Sequence, residues 1–411
     1  MAHSLDMLVV QKYGGTSVAT PELINNVADR IVRRVQAGDR VVAVVSAMGH
    51  TTDELIALAF SITPDPAPRE LDMLVATGEQ VSCALVAMAL QARGYDAVSL
   101  TGQQAGIYTR ATHQAGRISR VEADRVTREI DAGRIPVVAG FQGITEDLEI
   151  TTLGRGASDL TGIALAIALQ ADRYENCKDV EGIYTADPRI VPDARLLKDV
   201  TYEEMLELAT QGSQVIHNRA VELASVYNLP ILVTSSMVDA PGTIIHEEAK
   251  LEERNRVRGI AHDTDVAKVT VRHVPDRPGI AATIFEPLAE AGISVDTIVQ
   301  NASQDAMTDL TFTLSRKDLK RAEAVMPAVC RAVGANGYVA DGNLGKVSIV
   351  GVGIQTAPGY AARMFRTLFD AGINIELIST SEIRLTCIID AARVPDAVRA
   401  LHAAFELEKA G

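Results

Sequence analysis

Two stretches in the last third of the chain repeat one another, and this repeat constrains the fold more strongly than any other feature of the sequence. The stretch VTVRHVPDRPGIAATIFEPLAEAGISVDTI at 269–298 resembles VSIVGVGIQTAPGYAARMFRTLFDAGINIELI at 347–378. Pro278-Gly279 matches Pro358-Gly359 at an offset of 80 residues. Each copy continues into a second strand-like run and a second helix-like run. The repeat therefore predicts two ferredoxin-like βαββαβ modules in tandem.

The first 245 residues follow a different pattern, in which short runs of β-branched residues alternate with longer helix-like segments. LVVQ at Leu8, PELINNVADRIVRRVQAG at Pro21 and VVAVVSAMG at Val41 follow one another as strand, helix and strand. IPVVAGFQG at 135–143 and LPILVTSS at 229–236 are typical of further buried strands, and DLTGIALAIALQA at Asp159 is typical of a buried helix. This rhythm predicts an α/β layer architecture.

A charge-dense segment, HEEAKLEERNRVRG at 246–259, separates the two patterns and lacks strand character. We interpret it as part of a solvated connecting segment at 246–264. The sequence thus predicts a larger α/β domain at 1–245, a small module at 265–342 and a second at 343–411. Two small modules after a larger α/β domain suggest that sensing is joined to chemistry.

The balance of charge argues against two classes of partner. The chain has 39 basic and 53 acidic residues and a formal net charge of −14, which disfavours nucleic acid and anionic membrane surfaces. The sequence does not begin with a basic region followed by a long apolar core, so we predict no signal peptide. Its longest apolar helix-like stretches fall short of the ~20 residues that a membrane span requires.

Cysteine and histidine usage points to a reducing cytoplasm. Cys83, Cys177, Cys330 and Cys387 stand far apart without a CxxC pair, which suits buried thiols better than disulfides or a zinc site. The eight histidines show no HExxH spacing. We therefore expect no metal bound by protein side chains alone.

The first apolar run ends in VVQKYGGTSVAT, where Lys12 precedes two glycines and two hydroxyl residues. A cation, glycines that permit close approach and hydroxyl donors suit a phosphate where a strand passes into a helix. VVSAMGHTTDELI at 44–56 and TTLGRGASDLTGIALAI at 151–167 offer similar residues at two more such junctions. Each segment alone is explained as well by an ordinary turn or a helix N-cap. Their recurrence favours a ligand site at the carboxyl ends of the strands.

Neither a Walker GxxxxGK[ST] motif nor a GxGxxG motif is present, but six segments together resemble the aspartate kinase family. They are KYGGTSV, VVSAMGHTTDELI, ATGEQVS, TTLGRGASD, DVEGIYTADPRIVPDAR and NIELISTSEI, in the order of that family. The resemblance covers essentially the whole chain. It implies an α/β fold with a three-layer amino-acid-kinase catalytic domain, followed by two tandem ferredoxin-like ACT domains.

The resemblance implies phosphoryl transfer from ATP to the side-chain carboxylate of L-aspartate. The product is 4-phospho-L-aspartate, in the first step towards lysine, threonine and methionine. Mg²⁺ would be held mainly by the ATP phosphates. Two alternatives stay open: a related carboxylate kinase with another acid or nucleotide, and a weakly catalytic regulator that binds amino acids through its ACT domains.

The resemblance also implies roles for individual residues. Lys12 is the cation on the transferred phosphoryl group, Asp159 organises Lys12, and Arg155 clamps the α-carboxylate of aspartate with its planar fork. Glu79 is the implied partner of the substrate ammonium. The other implied substrate residues are Ser46, Thr52 and Ser158. The implied nucleotide residues are Lys12, Gly14, Gly15, Ser17, Lys178, Asp179, Tyr184, Asp187, Arg189 and Gln214.

Several positions depart from the family pattern. Ala157 stands where the family has the third glycine of GRGGSD, and Cys177 and Lys178 stand where it has the YT of YTDV. Gln214 stands where a lysine is usual. One lysine is lost and another gained, which raises the hypothesis that the positive charge has moved. The alternatives are an altered nucleotide preference, a weakened kinase or tolerated drift.

The turn at 276–279 follows the first strand of the first repeat. It precedes a helix whose free N–H groups suit a carboxylate. By resemblance, the two modules bind lysine, threonine or both as feedback inhibitors and pair into dimers or larger homo-oligomers. A shorter regulatory chain is a further option, and a scaffold without sensing is the alternative. The implied effector residues are Asp276, Gly279, Ile280, Gln300, Asn301, Ser303 and Thr308 in the first copy, and Thr380, Ser381 and Glu382 in the second.

Overall fold

The computed structural model describes residues 7–154, 156–213, 215–247, 257–301, 306–354 and 358–409. They form two compact units. The first unit comprises 1–183, 196–209 and 214–250, and the second comprises 184–195, 210–213 and 251–411.

The first unit alternates strands and helices, as the sequence predicts. Its strands are β1 (Leu8–Tyr13), β2 (Arg40–Val45), β3 (Ala97–Leu100), β4 (Ile107–Thr109), β5 (Ile118–Val121), β6 (Ile135–Ala139), β7 (Gln142–Ile144), β8 (Ile150–Thr152), β9 (Arg173–Lys178), β10 (Asp199–Thr201), β11 (Ile231–Ser235) and β12 (Thr243–His246). Its helices are α1 (Pro21–Gln36), α2 (Thr51–Ile62), α3 (Pro68–Val75), α4 (Thr77–Gln91), α5 (Asp124–Asp131), α6 (Ser158–Ala168), α7 (Tyr202–Thr210) and α8 (Asn218–Val226).

In the described part of this unit, eight strands form one sheet in the order β10-β12-β11-β9-β1-β2-β6-β3. Strand β1 lies in the middle, parallel to β2 on one side and to β9 on the other. All of its residues are buried, because helices cover both faces. Tyr13 packs with α1 and α4, whereas its neighbour Lys12 points to the opposite face and meets α6, as the alternation of side chains along a strand requires. The three-layer α/β prediction is confirmed.

A smaller sheet in the order β5-β4-β7-β8 accompanies the main one. Two details near these sheets differ from the sequence pattern. The run IPVVAGFQG forms β6 and then β7, with Gly140 and Phe141 between them. The glycine pair after β1 leads into a 3₁₀ turn, Gly15–Val18, and α1 begins only at Pro21, where the Thr20 side chain accepts the Leu23 N–H.

One apolar helical stretch, Pro68–Gln91, has the length and composition of a membrane span, so the expectation that every such stretch falls short of that length is wrong. Half of its window, 50%, is buried inside the protein. It comprises α3 and α4. Cys83, Val86 and Leu90 of α4 belong to the core beside α1, and core helices of globular proteins pass the same test.

The second unit contains the repeat. Its elements are β13 (Gly259–Pro275), α9 (Ile280–Glu290), β14 (Val295–Gln300), β15 (Met307–Leu314), α10 (Leu319–Val333), β16 (Tyr338–Val350), α11 (Tyr360–Asp370), β17 (Leu377–Ser381), β18 (Arg384–Asp390) and α12 (Val394–Ala404). Helices α9 and α11 each follow a glycine with left-handed φ, 92° at Gly279 and 108° at Gly359. The two tandem ferredoxin-like modules are confirmed.

The two modules are nested rather than simply consecutive. In the described residues one sheet runs in the order β14-β15-β13-β16-β18-β17. The start of β13, from Gly259 to Asp263, pairs with the end of β16, and the rest of β13 pairs with β15 and with the start of β16. The second module thus takes its fourth strand from the chain before the first module. That strand begins inside the predicted connecting segment, of which 248–256 lie outside the described residues.

Candidate active site

Three of the sequence motifs meet at the carboxyl edge of the main sheet. Lys12 lies near the end of β1 and is in register with Val44 of β2 and Asn176 of β9. Ser46 follows β2 directly, and Lys178 ends β9. Because these strands are parallel neighbours, the fold brings residues far apart in sequence to one edge, where ligands of open α/β sheets bind.

A buried ion pair joins Lys12 to Asp159. Lys12 Nζ lies 2.7 Å from Asp159 Oδ1, and Asp159 stands in the first turn of α6, where the helix dipole favours a carboxylate. Asp159 Oδ2 accepts the backbone N–H of His217 at 3.2 Å. Burial alone would raise the pKa of Asp159, but the charges of Lys12 and Lys178 outweigh it and the pKa is lowered. Asp159 is therefore ionised and holds Lys12 in place.

Lys178 is a second cation on the same carboxylate. Its Nζ lies 3.9 Å from Asp159 Oδ2, and its side chain is 20% exposed. Burial lowers the pKa of Lys178, and Lys12 adds to this while Asp159 opposes it. Two lysines thus share one carboxylate. An anion placed among them would supply the missing negative charge.

The two glycines after β1 have different steric roles. A Cβ on Gly15 would lie 2.8 Å from the carbonyl oxygen of Ala47, closer than real Cβ contacts, so the turn requires glycine there. A Cβ on Gly14 would lie 3.7 Å from Lys12 Nζ, an ordinary contact. Ser17 is buried, and its hydroxyl pairs with that of Ser236 at 2.7 Å.

A cavity of about 410 Å³ opens beside the ion pair. It is large enough for a small amino acid. Six residues singled out from the sequence contribute to its wall: Lys12, Gly15, Ser46, Thr52, Glu79 and Ser158.

Glu79 of α4 is the buried acid of this cavity. It is 2% exposed. Its Oε1 accepts the N–H of Ala47 at 3.0 Å, and its Oε2 has no hydrogen-bond partner among the described residues. Burial raises the pKa of Glu79 to about 8, against the smaller opposing effect of the Ala47 N–H. A ligand cation that reached Oε2 would both satisfy this oxygen and favour the charged form.

The cavity wall also contains Asp72, Gln114 and Phe141, which the sequence analysis missed, and Thr152, which lies in the candidate segment 151–167 but was given no role. Gln114 and Phe141 have left-handed φ of 64° and 67°, uncommon for such residues and often associated with functional sites. The stretch LDMLVATGE carried one signal, since Asp72 and Glu79 share a helical face with Val75 and Ala76. The loop residues left no comparable pattern.

Other predicted site residues lie elsewhere. Arg155 and Gln214 fall outside the described residues. Asp179 is exposed just after Lys178. Tyr184, Asp187 and Arg189 belong to the second unit, where Arg189 pairs with Asp187 at 2.7 Å and is the main cause of the lowered pKa of Asp187. The nucleotide roles of all these residues stay predictions.

Among the described residues, no group of three or more His, Cys, Asp or Glu side chains could hold a metal ion. At the cavity, Asp159 is already engaged by Lys12 and Glu79 by Ala47. This set of donors fits a cation that arrives with a phosphate ligand better than one held by the protein.

In the second unit, the end of β13 meets the loop between β14 and β15. The N–H of Asp276 donates to Ala306 O at 2.9 Å, and the Thr308 hydroxyl donates to Asn301 O at 2.9 Å. Gln300 ends β14, and Gly279 and Ile280 begin α9. Ser303 lies outside the described residues. In the second module, Thr380 and Ser381 lie on β17 and Glu382 follows them. The effector roles of these residues stay predictions.

Comparison with known families agrees with this division of the chain. The amino acid kinase family matches residues 7–235, and ACT domains match residues 269–334 and 347–405. Fold and site therefore define a protein with an amino-acid-kinase catalytic domain and two ACT domains. The matched ranges lie within the predicted domains 1–245, 265–342 and 343–411, whose boundaries stay predictions.

Individual relatives show to which family of amino acid kinases the chain is similar in sequence and structure. An aspartate kinase of Stutzerimonas stutzeri is 50% identical over 402 residues, covering 98% of each chain. A solved aspartate kinase from Synechocystis is 45% identical with a TM-score of 0.55, covering 97% of this chain and 69% of the other. Aspartokinase III of E. coli, solved with aspartate and ADP, is 24% identical and shares the fold with a TM-score of 0.81, covering 97% of this chain and 100% of the other. The chain belongs to the aspartate kinase family.

Proposed function

We propose that this chain transfers the terminal phosphoryl group of ATP to the side-chain carboxylate of L-aspartate, which gives 4-phospho-L-aspartate. The observation that carries this proposal is the Lys12–Asp159 pair at the wall of a cavity that also contains the unsatisfied oxygen of Glu79. The arrangement supplies a cation for a phosphoryl group and an anion for an ammonium in one place. Near-full-length similarity to aspartate kinases supports the same reaction.

The main obstacle to this reaction is repulsion between two anions, because a carboxylate must approach a polyphosphate. Lys12 meets this obstacle by holding positive charge where the transferred phosphoryl group accumulates negative charge. Asp159 keeps Lys12 oriented through the 2.7 Å contact. Lys178, on the other oxygen of Asp159, does not line the cavity, and we assign it to the nucleotide phosphates.

The amino acid substrate would be held at both of its α-substituents. Glu79 Oε2 receives the ammonium, and Arg155 clamps the α-carboxylate. Ser46, Thr52 and Ser158 fix the remaining polar atoms. This orientation leaves the side-chain carboxylate facing Lys12, as in-line attack on phosphorus requires.

On the family resemblance, the nucleotide site would be completed in the first unit by Gly14, Gly15, Ser17, Asp179 and Gln214. The nucleotide roles of Tyr184, Asp187 and Arg189, which belong to the second unit, stay predictions. Mg²⁺ bound to the phosphates would neutralise part of their charge when the nucleotide is bound. Asp159 is already paired with Lys12, and Glu79 has only one oxygen without a partner among the described residues, which favours a metal held by phosphate and water.

A hydroxylamine trap for the acyl phosphate tests the reaction directly. Purified protein receives MgATP and hydroxylamine with L-aspartate, L-glutamate or other amino acids, and hydroxamate is measured by its iron complex. We expect product from L-aspartate. Product from another acid alone would indicate a different carboxylate kinase, and no product from any acid would leave a regulatory protein without kinase activity.

The acidity of Glu79 predicts a pH dependence. Because its pKa is raised to about 8, Glu79 in the free enzyme is mostly protonated at neutral pH and ionises as the pH rises through that value. The ionised form attracts the substrate ammonium. We therefore expect kcat/KM for L-aspartate to rise with pH and to level off above about 8. Initial rates between pH 6 and 9.5 at saturating MgATP measure this profile.

Glu79→Gln should abolish that rise and lower kcat/KM at high pH by about tenfold, since an amide offers no charge to the ammonium. Glu203→Gln, at an exposed position of α7, is the matched control and should keep the parent profile. An unchanged profile in Glu79→Gln would assign the titration to another group, including the substrate amine.

Regulation by lysine, threonine or both follows from the ACT resemblance. The Thr308 hydroxyl donates to Asn301 O, and Thr308 is in register with Val274, two residues before Asp276, so these three predicted effector residues lie in one region of the first module, which supports this assignment. Feedback requires that the effector bind one state of the protein better than another.

Asp276→Ala should relieve this inhibition by about tenfold in effector concentration with uninhibited turnover near the parent value, since Asp276 is exposed and its backbone bond survives. Thr308→Ala should act in the same direction but also loses the bond to Asn301. Glu290→Ala, exposed on α9, is the control. Half-inhibitory concentrations are measured for lysine and threonine separately, and equal values in all variants would remove the first module from sensing.

The same family resemblance supports three broader proposals. The reaction would open the route to lysine, threonine and methionine in the cytoplasm. The ACT domains would pair into a dimer or larger homo-oligomer, because strands β14 and β17 end the sheet of the second unit and such edges favour pairing. A shorter regulatory chain would resemble the second unit.

A further inference from the structure

The wall of the cavity contains a second buried carboxylate, Asp72 of α3, which is 0% exposed. The Thr152 hydroxyl donates to its Oδ1 at 2.6 Å. His113 Nδ1 lies 2.8 Å from its Oδ2, and the backbone N–H of Gln114 donates to the same oxygen at 3.0 Å. A carboxylate is the only side chain that can accept from three such donors on two oxygens.

These donors come from two separate segments. His113 and Gln114 belong to the loop between β4 and β5, and Thr152 ends β8. A backbone bond from Gly116 N–H to Thr152 O, 2.8 Å long, joins the same two segments. Asp72 therefore ties helix α3 to this loop and to the end of β8.

The tied residues form part of the cavity itself. Gln114 and Thr152 line it beside Asp72. Gln114 has a left-handed φ of 64°, a conformation that costs free energy for a residue with a side chain and persists only where its surroundings hold it. The hydrogen bond from the Gln114 N–H to Asp72 stabilises this backbone conformation.

We propose that Asp72 is a positioning residue for the amino acid substrate. Its carboxylate fixes the wall made by Gln114 and Thr152, and so sets the width of the cavity in which the substrate is oriented. Asp72 acts through this wall and takes no part in phosphoryl transfer. The proposal rests on the proposed function for the identity of the substrate, but the wall it describes does not depend on it.

Two isosteric variants and their combination test the proposal. Asp72→Asn replaces one accepting oxygen by an NH₂ group, which then faces one of the donors. Thr152→Val removes the hydroxyl donor and keeps the shape of the side chain. We expect each to raise KM for L-aspartate, Asp72→Asn by about tenfold, with kcat within about threefold and KM for ATP within about twofold of the parent. The double variant should raise KM by less than the product of the single effects, since Thr152 and Asp72 are hydrogen-bonded to each other and their contributions are coupled.

Hydrogen exchange measured by mass spectrometry provides a readout that needs no turnover. Amides 113–116 should exchange faster in Asp72→Asn than in the parent, because the amide leaves one accepting oxygen for three donors and the bond to the Gln114 N–H is weakened. Asp65→Asn, exposed before α3, is the control for both measurements. If Asp72→Asn does not fold, Thr152→Val carries the comparison.

Three results would overturn the proposal. One is unchanged exchange of 113–116, which would show that the wall does not depend on Asp72. Another is faster exchange with KM for L-aspartate within twofold of the parent, which would leave a purely structural role. The third is an equal rise of KM for both substrates. If the parent forms no hydroxamate from L-aspartate, the proposed function fails separately, and KM is compared for the acid that the panel identifies.

Discussion

Lys12→Ala is expected to lower turnover at least about a hundredfold while the chain stays folded. The variant loses the charge that faces the transferred phosphoryl group, and a hundredfold loss corresponds to about 2.7 kcal/mol in the activation free energy. The fold should tolerate the change, because Lys178 lies 3.9 Å from Asp159 and remains as a counter-ion for that buried carboxylate. The loss should appear in kcat as well as in kcat/KM, since the interaction strengthens as the transition state forms.

The measurement is hydroxamate formation from L-aspartate at saturating MgATP, with circular dichroism and urea unfolding on the same samples. Lys198→Ala, which removes an exposed lysine just before β10, is the matched control and should keep parent turnover. Turnover within threefold of the parent in Lys12→Ala would exclude Lys12 from the mechanism. If turnover and secondary structure were both lost, Lys12 would instead be required for the stability of the fold.

Asp159→Asn is expected to be the more damaging change, because it affects both activity and stability. It removes the shared counter-ion and leaves Lys12 and Lys178 close together beneath α6 without a negative charge between them. Breaking a buried ion pair from one side costs about 3 kcal/mol or more. We expect turnover to fall at least about a hundredfold, since Lys12 is no longer oriented, and the urea midpoint to fall with it.

Because both lysines repel one another in this variant, raising the pH towards 10 should restore part of the lost stability as a lysine loses its proton. Asp131→Asn, exposed at the end of α5, is the control for the change of carboxylate to amide. A urea midpoint equal to that of the parent would contradict the shared-carboxylate description, whatever happens to turnover.

The fold was largely predictable because its elements have strong periodicity. The strand at Leu8 and the helix at Asp159 are almost entirely buried. Their sequences are correspondingly apolar, which identifies them as core elements. The 80-residue offset between Pro278-Gly279 and Pro358-Gly359 is likewise retained in the structure as two glycine-initiated helices, α9 and α11. Order along the chain did not reveal the nesting of the modules, since nothing in the residues at 259–263 distinguishes a strand of one module from the approach to another.

The candidate site was predictable where motif residues lie at the carboxyl ends of neighbouring parallel strands, as with Lys12 near the end of β1 and Ser46 after β2. Asp72 was missed because its three partners come from a loop and a strand end that are 41 and 80 residues away in sequence. The left-handed conformations of Gln114 and Phe141 were missed for a related reason. They are imposed by tertiary contacts, and neither residue type favours that conformation on its own.

The nesting of β13 and β16 decides how the second unit can be divided. A fragment that begins at residue 343, where the repeat alone would place a cut, loses the strand at 259–263 and leaves one side of β16 bare. A fragment that begins before Gly259 keeps every ladder of the six-stranded sheet. An independently produced second module must therefore include the strand at 259–263, and because the first copy lies between that strand and β16, such a fragment contains both copies.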